Sequence, residues 1–254
     1  MQELIAGTKN KLLLGAIHLP SFVEKTQNQL REIENRALEN TKIFEEGGFD
    51  GVFIQDQTLG KQSLDSTCNL SGITRFINAN VKSIKIGSQM ECDDGKSILA
   101  VAKASNAEFV RIKTYVGAMI KNNGLIYGQG SEVLKYKTEN HIDALIFCDI
   151  FDRCGVPFGN ISMIEACKMA LKLGANGLIL TGKDYDESLA MINAVKKAIP
   201  NAFILCGGSV TKENVATVLS VCDGAIVSSC LKDDADNSKW SLKKIMDFVK
   251  NAGR

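Results

Sequence analysis

Short, nearly continuous apolar segments alternate eight times with longer stretches of helical spacing, and few folds accept that pattern. The segments fall at residues 12–17, 51–55, 84–88, 109–113, 144–148, 177–180, 203–206 and 224–227. Runs that stay apolar through both alternating faces suit strands of a parallel sheet covered on both sides. The stretches between them carry apolar residues three and four apart. Within residues 24–46, Leu30, Ile33, Ala37, Ile43 and Phe44 trace one stripe among charges. A helix–Gly–x–x–Gly–strand layout occurs twice, from Gly48 to Gly51 and from Gly174 to Gly177, with Gly174 placed just past the end of a helix. An open doubly wound sheet also uses alternating elements. No Gly-x-Gly-x-x-Gly follows the first segment, however, and eight evenly spaced units favour closure. The expected fold is therefore α/β: a single (β/α)8 TIM barrel domain over residues 1–254.

Composition agrees and narrows the function classes. A chain of 254 residues with 45 % hydrophobic and 23 % charged residues is ample for one large core. Its formal charge of +1 provides no global field for nucleic acid or an acidic membrane, so anion binding must come from a local site. Eight cysteines include no CxxC pair, and several end apolar runs, as Cys148 and Cys206 do. They read as reduced, mostly structural thiols. His18 and His141 are the only histidines and share no metal-ligand spacing, so no metal and no cofactor is expected. The apolar run LLLGAI at residues 12–17 is too short to span a bilayer and lacks a cleavage pattern. A cytoplasmic protein without membrane or nucleic-acid partners is the expectation.

Barrels place chemistry at the C-terminal ends of their strands. After the seventh segment comes Gly207-Gly208-Ser209-Val210-Thr211, and after the eighth come Ser228 and Ser229. Two glycines let backbone amides approach an anion, the serines add hydroxyls, and amides of a short following helix would add donors. Gly207, Gly208, Ser209, Ser228 and Ser229 are the expected phosphate site; a plain tight turn is the competing reading. Thr211, with Glu213 and Asn214, resembles a helix cap. In the fourth segment Arg111 and Lys113 alternate with Val110 and Ile112, so the two cations point into the mouth if the apolar pair faces helices. They then meet either an anionic ligand or an internal acid such as Asp149 or Asp56. Asp149 ends an otherwise apolar strand and is the first candidate for a functional carboxylate. His18 ends the first segment and suits proton transfer if exposed. The expected catalytic set is Asp149, His18, Arg111 and Lys113. Gln55, Asp56, Glu91, Asp152, Arg153, Thr181 and Lys183 also stand at or near strand ends.

The loop after the fourth segment runs from Thr114 to Gly130 and alternates apolar residues around Asn123-Gly124, a hairpin signal. Met119, Ile120, Leu125, Ile126 and Tyr127 would cover the site or, as the favoured reading, form a homo-oligomer contact through residues 116–128.

The segments GAIHLP, GGFDGVFI, FVRIKTYVGAMIKNNGLIYG, GLILTGK and LCGGSVTKENVATVLSVCDGAIVSSCLK resemble those of the BtpA/SgcQ family over nearly the whole chain. That family is similar in fold to ribulose-phosphate-binding barrels, which implies a phosphate at Gly207, Gly208, Ser209, Ser228 and Ser229. His18, Arg111 and Asp149 fall on positions matching its motifs. One cyanobacterial branch is linked to photosystem I biogenesis, whereas other members are regarded as enzymes. Two positions depart from the family pattern. Gln55-Asp56 stands where an acidic-Asn pair is usual. After Asp149, Arg153 and Cys154 lie near the place of a Lys-His pair. The expected function is binding of a phosphorylated small molecule, a sugar phosphate or nucleotide-related compound, with an enzyme acting on it. A non-catalytic assembly factor of the photosystem I type is the alternative, and an isomerase or synthase using His18 with Asp149 ranks third.

Overall fold

The computed structural model describes residues 11–58 and 64–254. Eight parallel strands close into a barrel: β1 (Leu12–Leu19), β2 (Gly51–Asp56), β3 (Lys85–Met90), β4 (Phe109–Ile112), β7 (Leu145–Asp149), β9 (Gly177–Leu180), β10 (Ile204–Cys206) and β11 (Gly224–Val227). Each neighbours the next in that order, and β11 pairs back onto β1. Helices α1 (Gln27–Glu46), α2 (Leu64–Asn80), α3 (Gly95–Ser105), α4 (Gly130–Glu139), α5 (Met163–Lys172), α6 (Tyr185–Ala198), α7 (Val215–Val221) and α8 (Leu242–Asn251) follow the barrel strands in turn. The long apolar stripe forms α1, which begins at a capping box between Thr26 and Gln29. Among the described residues, no helix is long and apolar enough to cross a membrane.

Period-two alternation sorts each strand into two cores. Val52, Ile54, Val110, Ile112, Ile146 and Cys148 point outward to the helices. Leu12, Leu14, Ala16, Phe53, Phe109, Leu145, Phe147, Ile179, Leu205 and Ile226 fill the barrel itself. Phe53 and Phe109 meet edge to face at 4.8 Å. The repeated glycine layout now has a cause. Gly48 and Gly174 adopt φ of +87°, the left-handed helix exit. A Cβ on Gly51 would stand 3.1 Å from Phe109 Cζ, and one on Gly177 would stand 2.7 Å from Phe147 Cδ1. The second glycine of each layout therefore makes room for a phenylalanine inside the barrel. The cysteines are all free thiols, four of them buried.

The loop after β4 forms a hairpin of β5 (Ala118–Lys121) and β6 (Gly124–Tyr127). Its turn is Asn122-Asn123, one residue before the expected Asn123-Gly124; Gly124 opens β6 and takes φ of +105°. A third strand, β8 (Val156–Pro157), comes from the loop after β7 and pairs with β5. A two-residue strand holding a proline gives almost no sequence signal. Met119 turns inward and is buried, whereas Ile120, Leu125, Tyr127, Val156 and Phe158 are exposed on this small sheet.

Candidate functional site

The inward positions of the barrel strands change from apolar to polar at their C-terminal ends. Two residues beyond the inward layer stand His18, Gln55, Gln89, Arg111 and Asp149, within their strands, and Thr181, Gly207 and Ser228, each one residue past its strand, and all line a cavity of 610 Å³. The strand period that builds the core thus also aims the site residues.

One side of the cavity is a closed ion-pair network. Arg111 donates to Asp149 through Nε at 2.8 Å and Nη2 at 2.7 Å, so both carboxylate oxygens are engaged. Val110 and Ile112 do face the helices, and the internal ion pair is one of the two roles expected of Arg111. Burial pushes the Asp149 carboxyl above its ordinary value, while the Arg111 charge and hydrogen bonds pull it back. Lys113 pairs with Glu91 at 2.5 Å. Asp56 is not its partner: that carboxylate accepts from the backbone and hydroxyl of Thr58. Lys121, from the hairpin, reaches Asp152 at 3.0 Å and Asp93 at 3.1 Å, tying the small sheet down over the mouth. Although burial alone would raise Asp152, the charges of Lys113 and Lys121 and the N–H of Cys154 bring it below the usual carboxylate range. A second cavity of 230 Å³ lies against the hairpin, bordered by Lys121, Asn122, Asn123 and Ile126 and sharing Glu91, Lys113, Asp152 and Cys154 with the first.

The opposite side carries polar groups without internal partners. Gly207 N–H is used by Leu180 O at 3.0 Å. The N–H groups of Gly208, Ser209 and Val210 make no hydrogen bond among the described residues. Ser209 between them takes φ of +59°, the left-handed conformation that occurs in backbone turns binding anions. Arg153 Nη1 lies 3.1 Å from where a Gly208 Cβ would be, and no carboxylate among the described residues pairs with Arg153. Thr181 Oγ1 is buried without a partner and fills the space above Gly207, where a Cβ would stand only 2.0 Å away. Ser228 Oγ donates to Ala16 O at 2.8 Å, which leaves its lone pairs but not its proton for a ligand. Ser229, at the start of a short 3-10 helix, is exposed on the rim. Helix α7 contributes no amide row here. It begins at Val215, after a turn in which Asn214 accepts from Thr211 N–H and donates to Ser209 O, so Thr211 does not cap it.

His18 stands between the two sides and has no hydrogen-bond partner among the described residues. Burial, aided by the charge of Lys232, lowers its pKa below 6.5 and keeps the imidazole neutral at pH 7. The cavity therefore brings together His18, Arg111, Lys113 and Asp149 with the five expected phosphate residues. Sequence reasoning gave no site role to Arg153, whose side chain crosses from the β7 loop past Thr181 to Gly208. Nor did it single out Gln89, although the β3 period, two residues after inward Gly87, would have found it.

Comparison with known proteins places this barrel among relatives. The BtpA family pattern matches residues 9–254. An uncharacterized protein of Archaeoglobus fulgidus is 30 % identical over 87 % of this chain and 92 % of its own length. Photosystem I biogenesis protein BtpA of Synechocystis is 25 % identical over 87 % of this chain and 80 % of its own. Phosphoribosyl anthranilate isomerase from Thermus thermophilus superposes with a TM-score of 0.60 at 10 % identity, covering 95 % of this chain and 98 % of that one. At that identity the likeness concerns the barrel fold alone.

Proposed function

The chain belongs to the BtpA family, and from that premise we propose that its barrel mouth binds a phosphorylated small molecule and acts on it as an enzyme. The phosphate would accept from the amides of Gly208, Ser209 and Val210 and from the Ser209 and Ser229 hydroxyls, with Gly207 and Ser228 shaping the floor. The observation that carries this reading is Arg153, a cation without an acidic partner among the described residues, laid beside Gly208 and three unpaired amides. A guanidinium matches phosphate oxygens in a planar fork. Phosphoribosyl anthranilate isomerase, which shares the fold, is named for a phosphorylated substrate and gives the reading a chemical precedent.

At the other end of the ligand, His18 is the proton carrier: a neutral imidazole whose nitrogens are not taken up by other residues described here. Arg111 stabilises developing negative charge, and Asp149 holds it in place through two hydrogen bonds. Lys113, fixed by Glu91, supplies a second positive charge. Calorimetric titration with inorganic phosphate and sugar phosphates tests the grip. Arg153→Gln and Gly208→Val are expected to weaken both by about tenfold or more, the cost of a charge-assisted hydrogen bond; unchanged binding in both variants would sink the assignment.

A second reading is favoured by a different observation. Ile120, Leu125, Tyr127, Val156 and Phe158 form an exposed apolar face on the mouth sheet, and one relative is named for photosystem I biogenesis. In a non-catalytic assembly factor, Tyr127→Ser with Phe158→Ser would abolish cellular function and His18→Gln would not. The enzyme reading predicts the reverse order.

A further inference from the structure

We infer that the centre of the cavity reads hydroxyl groups, so that the ligand is a sugar phosphate recognised through Gln89 and Gln55. The inference rests on the phosphate reading above for one end of the ligand only.

Glu91 determines how the two glutamines are turned. Its Oε1 accepts from Gln89 Nε2 at 3.2 Å and from Gln55 Nε2, and its Oε2 accepts from Lys113 Nζ at 2.5 Å. An ionised carboxylate can only accept, so each amide must turn its NH2 toward it. This removes the interchange of oxygen and nitrogen to which a side-chain amide is otherwise open. Each carbonyl oxygen is then left for something else.

For Gln89 nothing in the described protein takes that place. The residue is 1 % exposed, its Oε1 has no hydrogen-bond partner, and it lines the cavity. Thr181 Oγ1, toward the phosphate side, is likewise buried and unpartnered. A buried acceptor without a donor is unfavourable until a ligand supplies one. The donors required are neutral ones, because Arg111 and Lys113 beside Glu91 would repel an ammonium group. Hydroxyls on a short carbon chain meet that demand, and a ligand carboxylate, which only accepts, does not. A cavity of 610 Å³ is large enough to hold a sugar phosphate.

The test compares three probes by calorimetry: inorganic phosphate, ribose 5-phosphate and pentyl phosphate, which has a five-carbon chain without hydroxyls. The wild-type chain is expected to bind ribose 5-phosphate at least about tenfold tighter than pentyl phosphate, since a site built to hydrogen-bond a hydroxyl rejects the analogue lacking it. In Gln89→Met the ratio should fall toward one while the affinity for inorganic phosphate stays within about twofold. Glu91→Gln supplies a second route should Gln89→Met not fold. Its amide can donate to Gln89 Oε1, and the same loss of preference is expected. Equal wild-type affinities for the two organic phosphates, with inorganic phosphate still bound, would overturn the inference and leave the phosphate site standing. A preference that survives in both variants would also overturn it. If inorganic phosphate does not bind the wild-type chain, the phosphate reading fails first and takes this inference with it.

Discussion

The two sides of the barrel mouth treat charge in opposite ways. Across β3, β4 and β7, the cations Arg111, Lys113 and Lys121 each meet a carboxylate from the protein itself. Across β9, β10 and β11, where Arg153 reaches over from the β7 loop, Arg153 pairs with no carboxylate among the described residues, three backbone amides find no acceptor there, and Thr181 Oγ1 has no partner. Density of charged residues is thus a poor guide to where a cation is left free of an internal partner. A paired guanidinium is already satisfied, and separating it from its carboxylate is costly. An unpaired one above free amides is not. Under the proposed function, the closed side would orient groups for chemistry and the open side would hold the ligand.

The largest expected effect breaks the closed side. Asp149→Ala leaves the Arg111 charge buried without its partner and should cost about 3–5 kcal/mol in urea-induced unfolding. Asp149→Leu combined with Arg111→Met should recover most of that loss, because a well-packed apolar pair replaces a buried ion pair at little net cost. A loss that is no larger than for an exposed pair would mean that the two sides do not differ as described. Next comes Arg153→Gln. Phosphate affinity should fall about tenfold while stability changes by less than about 0.5 kcal/mol, as for a substitution outside any packed network. Calorimetry and a thermal melt on the same sample separate the two effects.

Smaller is Thr181→Val, which keeps the shape and removes the unpartnered hydroxyl. Stability should hold or rise slightly, since a buried polar atom without a partner is lost. Ligand affinity should drop severalfold. The smallest effect concerns pH. His18 has a folded pKa below its unfolded value of 6.5, so between those two values the unfolded chain binds more protons. Stability should therefore fall as pH drops from 6.5 through the folded pKa and then level off, and His18→Gln should remove that component. Histidine NMR titration gives the folded pKa directly; a value above 6.5 would contradict the neutral imidazole between the two sides.

Much of this was legible in the sequence because two periods carry it. Alternation along each strand separates Val110 and Ile112 from Arg111, and continued for one more step it places His18, Asp149 and Ser228 at the mouth. What stayed hidden depends on contacts between loops. The two-residue strand β8 exists only because the β7 loop lies along β5. Arg153 stands four residues past the end of β7, and only the closed barrel brings its guanidinium to Gly208. The pairing of Lys113 with Glu91 rather than Asp56 follows from Asp56 turning to Thr58, a local bond that no spacing rule reveals. The short α7 was foreseen, but its displacement behind the Asn214 turn was not.

The measurement that bears most directly on the contrast between the two sides is a crystal structure of the wild-type chain grown with millimolar phosphate. A tetrahedral anion seated on the amides of Gly208, Ser209 and Val210, with the Arg153 guanidinium against it and the Arg111–Asp149 pair intact, is the predicted result. An anion bound between Arg111 and Lys113 with their carboxylates displaced, and the Gly208 loop empty, would contradict it.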